Sequence, residues 1–278
     1  IDKLIEDLKK KSDHLFSWLI DHEWLEEGYF NGYYDNKGRR VEGKTKMLLQ
    51  SQVFALMSEG VTKAHTAHTI RAIDRLLFDK NLGGYRLNTD FGAPYLDLGR
   101  AFGFAYGDKE NGAFFSHMVV MYSFALYAQG FTEKAESVLT SIYRMAIDEH
   151  AQIYPGIPEY FNNQGRGLYL YLTGSASWYT HTLFQHTLGI DFYLGDLVIS
   201  PKLTGTLCKE SVEAKFYFQD KEITVAYTHR NENPSALTIE KVLLQGEPIA
   251  HTHACCNISR ALIARSPDQK IRIDVSLR

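Results

Sequence analysis

Thr173 and Gly174 stand directly ahead of a helical pattern in the stretch Tyr171-Leu-Thr-Gly-Ser-Ala-Ser-Trp178, and such a pair can hold a phosphate-sized anion. The first amides of a helix lack internal partners, and the aligned peptide dipoles draw negative charge to that end. Thr173 adds a hydroxyl donor, while Gly174 lets an oxyanion approach the backbone without a Cβ in the way. An ordinary Thr N-cap is the plainer explanation of the same octapeptide. Other reactive groups form less complete sets. His65-Thr-Ala-His68 has the spacing of two ligands on one helix face, and His251-Thr-His253 precedes Cys255-Cys256, but neither completes a zinc set, so no metal is expected. Ser175 and Ser177 lack the Gly-x-Ser-x-Gly elbow of an acyl-transfer nucleophile.

The elements that must position these residues follow from periodicity. Leu4, Ile5, Leu8, Leu15, Leu19 and Ile20 recur at helical spacing; the run Tyr29 to Tyr34 then reads as extended, and Asp35-Asn-Lys-Gly38 as a turn. Helices are expected over Met47–Glu59, Thr62–Phe78, Ala113–Gln129 and Thr132–Ile147, the last with Ala135, Val138, Leu139, Ile142 and Tyr143 on its buried face. A further helix starts near Thr173, packs Ala176, Tyr179, Leu183, Phe184 and Thr187 inward, and stops at Gly189. Between Asp79 and Asn111 lies a long aromatic-rich loop of the kind that builds a site. From Asp196 the period becomes two, in Leu197–Ile199, Val212–Phe218, Ile223–Tyr227, Leu237–Leu244 and Ile271–Leu277, with Asn231-Glu-Asn-Pro234 as a turn. The expected fold is mainly α with a C-terminal β-domain, a partial (α/α)6 toroid over residues 1–194 and a small antiparallel β-sandwich over residues 195–278.

With 278 residues, 45% of them hydrophobic, the chain can bury one large core or two modest ones. A net charge of -3 without a sustained basic run argues against nucleic acid or a polybasic membrane contact. Three cysteines make no disulfide framework, which points to the cytoplasm, and the longest apolar run, Met118 to Ala128, is too short to cross a bilayer. A start inside an amphipathic helix without an initiator Met leads us to expect a fragment or processed product, which would pair with a missing N-terminal half or self-associate.

Four segments together resemble the C-terminal part of the inverting glycoside phosphorylases, the cellobiose and chitobiose phosphorylase family. They are Asn31-Gly-Tyr-Tyr34 with Gln50-Ser-Gln52; Gly107-Asp-Lys-Glu-Asn-Gly112 leading to His117; Tyr154-Pro-Gly-Ile-Pro-Glu-Tyr160; and Tyr171 to Trp178 followed by Gly195-Asp-Leu-Val-Ile-Ser-Pro201. Pro155 to Phe161 with Gly165-Arg-Gly167 is closer to members acting on β-1,2-linked glucooligosaccharides. The resemblance implies reversible phosphorolysis: inorganic phosphate attacks the anomeric carbon of a β-glucoside or oligoglucan and gives an α-sugar 1-phosphate, with no cofactor besides that co-substrate. An inverting hydrolase needs a second carboxylate to activate water, whereas phosphate is already an anionic nucleophile and needs only a cradle.

Mapped residue by residue, the family's phosphate cradle falls on His117, Thr173 and Gly174, with Glu159 near a further polar contact that is Gln in some members. A Glu there repels phosphate. At the mouth of its helix, the His117 imidazole can donate to phosphate and add charge when protonated. Lys109 and Glu110 fall near the acceptor sugar, and Tyr169, Tyr171, Trp178 and Tyr179 are candidate sugar platforms, although such aromatics commonly pack the core. The family's general acid is an Asp in an Asp-Trp-Asn-Asp-like motif, which this chain lacks; Asp35, Asp90, Asp97 and Glu110 do not match its position, and no catalytic acid is assigned. The alternatives are a noncatalytic carbohydrate-binding fragment or truncated paralogue, and a toroid hydrolase with other carboxylates.

Overall fold

A computed structural model describes residues 1–58, 60–153, 156–170, 174–209, 211–229 and 236–278. Tyr154, Pro155, Tyr171, Thr173 and the expected turn Asn231-Glu-Asn-Pro234 lie outside the described residues. The protein is mixed helix and sheet, and divides into two compact units, one of Ile1–Gln129 with Ser137–Tyr179, the other of Gly130–Glu136 with Thr180–Arg278.

In the first unit, α1 (Asp2–Trp18) is amphipathic, as its spacing predicts, yet none of its residues is buried, and Leu4, Ile5, Leu8 and Leu15 are 46% to 64% exposed. Thr62 starts α3 (Lys63–Leu76), following α2 (Leu49–Met57), by accepting the His65 amide. His65 and His68 serve capping and packing: His65 Nδ1 lies 3.0 Å from Thr62 Oγ1, and its ring centroid sits 4.5 Å from that of Trp24, which His68 also faces. The long loop after α3 opens with the hairpin of β1 (Phe78–Asp79) and β2 (Gly84–Tyr85) and is pinned by a small core of Leu48, Phe91 and Phe102. β3 (Phe114–Phe115) then leads into α4 (Ser116–Ala128), which is apolar all round and accordingly buried along Val119, Val120, Tyr122, Ala125 and Leu126. In α5 (Thr132–Ile147), Ala135, Val138, Leu139 and Ile142 are buried as expected, but Tyr143 is 52% exposed. β4 (Tyr160–Phe161) pairs with both β3 and β5 (Gly167–Leu168). Among the described residues no helix is long and apolar enough to cross a membrane.

The face of α6 (Gly174–Thr182) departs from expectation. Ala176 and Leu183 are exposed, while Ser175 and Thr182 are buried and Trp178 and Tyr179 half-buried. Helical spacing from Ser175 selects that side. Its inward face is therefore led by a polar residue, which an apolar-periodicity rule assigns outward. Gly189 ends the segment as expected: its φ of 67° suits the left-handed stop, and an added Cβ would lie 2.1 Å from the Ser200 carbonyl carbon.

In the second unit, β6 (Ile190–Tyr193) and β7 (Asp196–Ile199) form a hairpin whose turn residues, Leu194 and Gly195, both have positive φ. The period-two reading that starts at Asp196 misses β6. The next strands are β8 (Ser211–Phe218), β9 (Lys221–His229), β10 (Ile239–Leu244), β11 (Glu247–Pro248), β12 (Cys256–Ile258) and, after α7 (Arg260–Arg265), β13 (Lys270–Leu277). One sheet runs β11-β10-β13-β9-β8 and another β12-β7-β6, and both contribute to one core, with Ile223, Val225, Ile273 and Val275 from the first and Leu197, Ile199 and Ile258 from the second. The larger sheet is mixed rather than antiparallel, because β13 lies parallel to β9 from Lys270↔Glu222 to Leu277↔His229. The connection through β12 and α7 is long enough to return the chain in the parallel sense, which a hairpin turn cannot do.

Candidate functional site

The β3-β4-β5 ladder draws the sequence-predicted residues of the first unit together. The Ser116 amide, at the start of α4, donates to the Glu159 carbonyl at 3.0 Å, and the Glu159 amide donates to the Tyr169 carbonyl at 3.0 Å. His117, Glu159 and Tyr169 are thus tied to one small sheet. Against this assembly lies the first turn of α6: a Cβ built on Gly174 would stand 2.9 Å from His117 Cε1 and 3.0 Å from its Nδ1. The imidazole therefore rests on the glycine, which a side chain at residue 174 would displace. Trp178, one turn further along α6, sets its ring 5.9 Å from that of His117 and 5.2 Å from that of Phe124.

Enclosed polar atoms without a hydrogen-bond partner among the described residues include Glu110 Oε2, Ser116 Oγ, His117 Nε2 and Ser175 Oγ. Enclosed polar atoms are normally satisfied, and Ser116 and His117 open α4 while Ser175 lies in the first turn of α6, so these three are candidates for satisfaction by a polar ligand. Burial lowers the His117 pKa. Desolvation disfavours the protonated ring, so a charge brought by this imidazole comes at a cost in burial.

Beside it stands a cationic and aromatic group. The turn 107–112 is closed by the Gly107 amide donating to the Asn111 carbonyl at 2.7 Å, and Asn88 holds it through its own side chain, accepting from the Gly112 amide at 2.8 Å and donating to Asn111 Oδ1 at 3.0 Å. Gly112 is required there, because its φ is 74° and a Cβ at this residue would stand 2.1 Å from the Tyr106 ring. The turn presents Lys109, whose Nζ lies 4.9 Å from the Tyr169 ring centroid and 5.2 Å from that of Phe104. Tyr169 is 38% exposed, is held at a φ of 59°, and lies 6.0 Å from the Tyr160 ring. Burial, then the charges of Asp108, Tyr169, Glu159 and Glu110, push the Tyr160 phenol up. Through β4, Tyr160 is paired with Phe115 on one side and Leu168 on the other.

Sequence reading missed Asn88, Phe104, Ser116 and Tyr160, and gave Ser175 no role beyond a rejected nucleophile. Asn88 was legible only as part of a long loop, and a lone Phe carries no motif. Trp178 and Tyr179 are both half-buried, the first with its ring against Phe124 and the second with its phenol pushed up to about 12 by burial.

Of the carboxylates considered as acids, Asp35, Asp90 and Asp97 are occupied or exposed, whereas Glu110 is half-buried with an enclosed Oε2 that has no partner among the described residues. Asp35 accepts from the Lys37 amide, the Arg39 amide and Arg39 Nε, which hold its carboxyl below the usual range. Asp90 accepts from the Gly92 amide, and Asp97 lies in an exposed turn. Glu42 has a carboxyl pushed up to about 7 by burial, yet both its oxygens are taken by the Gly32 and Leu48 amides, Ser51 and Gln52. It staples a loop to α2, and its perturbed pKa belongs to that role.

The glycosyl hydrolase 94 superfamily, catalytic domain, matches residues 2–189. The chain belongs to this superfamily. No curated protein matches it. Among solved structures, a family GH92 alpha-mannosidase from Bacteroides thetaiotaomicron in complex with mannoimidazole is similar at 12% identity and a TM-score of 0.34, over 98% of this chain and 33% of its own. A second structure of that α-mannosidase gives 15% identity and a TM-score of 0.33, over 98% of this chain and 32% of its own. The chain thus spans about a third of the length of these solved proteins.

Proposed function

We propose that this superfamily member supplies the phosphate side of a β-glucoside phosphorylase, which splits a β-linked gluco-disaccharide or oligosaccharide by inverting phosphorolysis into an α-sugar 1-phosphate. The supporting observation is the His117 imidazole lying on Gly174 at the start of α6, with an enclosed Nε2 that has no partner among the described residues. In this reading the phosphate accepts hydrogen bonds from His117 Nε2–H, the Gly174 amide and Thr173, and stays close to the anomeric carbon. One phosphate oxygen forms the new C–O bond as the bond to the leaving sugar oxygen breaks, and that oxygen takes a proton from a general acid that none of this chain's carboxylates is assigned to be. Lys109, Glu110 and Tyr169 form the sugar side, Tyr171 continuing it in sequence. Residues 1–194 are read as part of an α/α toroid and the remainder as a β-sandwich. The lack of an Asp-Trp-Asn-Asp-like motif also supports a second reading, a noncatalytic carbohydrate-binding fragment or truncated paralogue.

Phosphate titrated into the protein while the His117 ring resonances are followed is expected to give a saturable shift that Gly174→Ala weakens, and calorimetry is expected to show the same phosphate binding lost in His117→Ala. The same sample, given phosphate and β-linked glucosides, is expected to release no sugar 1-phosphate, since general acid catalysis contributes roughly 10²–10⁴-fold. No shift at phosphate concentrations on the order of tens of millimolar, well above the weak end of specific anion binding, defeats the cradle. Turnover at the rate of an intact phosphorylase shows that an acid is present and that the binding-only reading is wrong.

A further inference from the structure

In the first unit a cavity of about 490 Å³ opens between the β1–β2 hairpin, the turn at residues 164–165 and the face of α5 that carries Arg144. None of the residues assigned to phosphate or sugar lines it. Its walls are well fixed. Asp79, in the hairpin, accepts from the Asn81 and Leu82 amides and pairs with Arg86 at 2.7 Å, and Asn162 Oδ1 accepts from the Gln164 and Arg166 amides.

The charge around this cavity is positive. Lys80 and Arg144 line it, and neither makes an ion pair among the described residues. His150 also lines it and pairs through Nδ1 with Asp148 at 2.7 Å, an interaction that raises the imidazole's pKa and leaves Nε2 unused. Asp148 is the acid on this wall and is committed to His150, as Asp79 is to Arg86. Two cations without counter-ions on the walls of one cavity are matched by a dianion. The remaining lining suits a polyol: the side-chain amides of Asn81 and Gln164 offer donors and acceptors, and Phe78, 36% exposed and tilted on Tyr85 at 5.0 Å, offers an aromatic edge. The volume falls in the range of sites that enclose a small ligand.

We propose that this cavity binds a phosphorylated hexose, with the phosphate held by Lys80 and Arg144 and the sugar hydroxyls by Asn81 and Gln164. The site is separate from the His117–Gly174 cradle and does not depend on the phosphorylase reading. Its test uses the full chain carrying His117→Ala, so that the cradle does not contribute. Glucose 6-phosphate, glucose 1-phosphate, glucose and inorganic phosphate are titrated by calorimetry against this protein and against versions that add Lys80→Ala, Arg144→Ala or Arg144→Lys. Both cations are exposed, and circular dichroism confirms that each variant is folded. At least one sugar phosphate is expected to bind more tightly than glucose or inorganic phosphate, with affinity falling about tenfold or more in either alanine variant and partly restored by Arg144→Lys, as for loss of a charge-assisted hydrogen bond. Absence of binding, equal affinity for glucose or inorganic phosphate, or indifference to both alanine substitutions overturns the proposal.

Discussion

Gly174→Ala is expected to weaken phosphate binding by about tenfold to a hundredfold while leaving the protein folded. A methyl group at this position would come 2.9 Å from His117 Cε1 and 3.0 Å from Nδ1, inside ordinary contact distance. The imidazole has little room to retreat, because Trp178 backs it and is itself backed by Phe124. The ring must turn, carrying Nε2 off the anion, and the methyl group covers the amide of residue 174. Each hydrogen bond lost to a charged group is worth about 1.5–3 kcal/mol. Gly174 opens α6 without a positive φ, so the backbone accepts Ala, and any gain in helix propensity, at most about 1 kcal/mol, works against the cost of displacing the ring. Phosphate affinity from calorimetry and Tm from the same preparations separate the two effects. His117→Ala should weaken binding in the same direction, and the double variant should lose less than the sum, since both groups hold one anion. Wild-type phosphate affinity in Gly174→Ala would place the anion elsewhere.

Glu42→Ala is expected to destabilise the first unit by about 3 kcal/mol or more. The carboxylate is 6% exposed, and its removal leaves the Gly32 and Leu48 amides and the Gln52 side chain facing an unfilled space where they now have an acceptor. Its effect also depends on pH. Burial is the largest influence on Glu42 and outweighs the four donors, so the folded-state carboxyl titrates at about 7. Its folded pKa lies above that of the unfolded chain, near 4.3. Between these values the folded state binds more protons, so stability from Glu42 is fully present below the lower value and is lost as pH rises through the upper one. A protonated Glu42 can donate to Ser51 and still accept from the amides, which is why protonation is tolerated. At about 1.4 kcal/mol per unit, the change amounts to a few kcal/mol. His117 and His186, both lowered by burial, act in the opposite sense by gaining stability as pH rises through the usual histidine range. The diagnostic quantity is therefore the difference between wild type and Glu42→Gln in urea denaturation from about pH 5 to 8. A difference that does not change with pH would show that Glu42 stays ionised throughout.

Much of the local structure was legible because it depends on neighbours in sequence. Thr62 caps α3, Gly189 stops the segment that α6 begins, and alternating Ile271, Ile273, Val275 and Leu277 form β13, each following from short-range spacing. β6 escaped because a short strand beside a helix end alternates too briefly to announce itself, and the parallel β9–β13 pairing escaped because strand direction depends on a long connection.

For the candidate site, the sequence by itself determined the ingredients and their order: a histidine at one helix start, a Thr-Gly pair at another, and a Lys-Glu turn between glycines. It also determined that α4, apolar on every side, must be buried. Only the tertiary structure decided that His117 rests on Gly174, because residues so far apart in sequence meet through pairing of β3 with β4, which periodicity cannot express. Desolvation decided that the imidazole's pKa is lowered, and packing decided that Ser175 turns inward while Ala176 turns out. Burial and pairing are properties of what surrounds a residue, and those surroundings exist only once distant segments have closed around it.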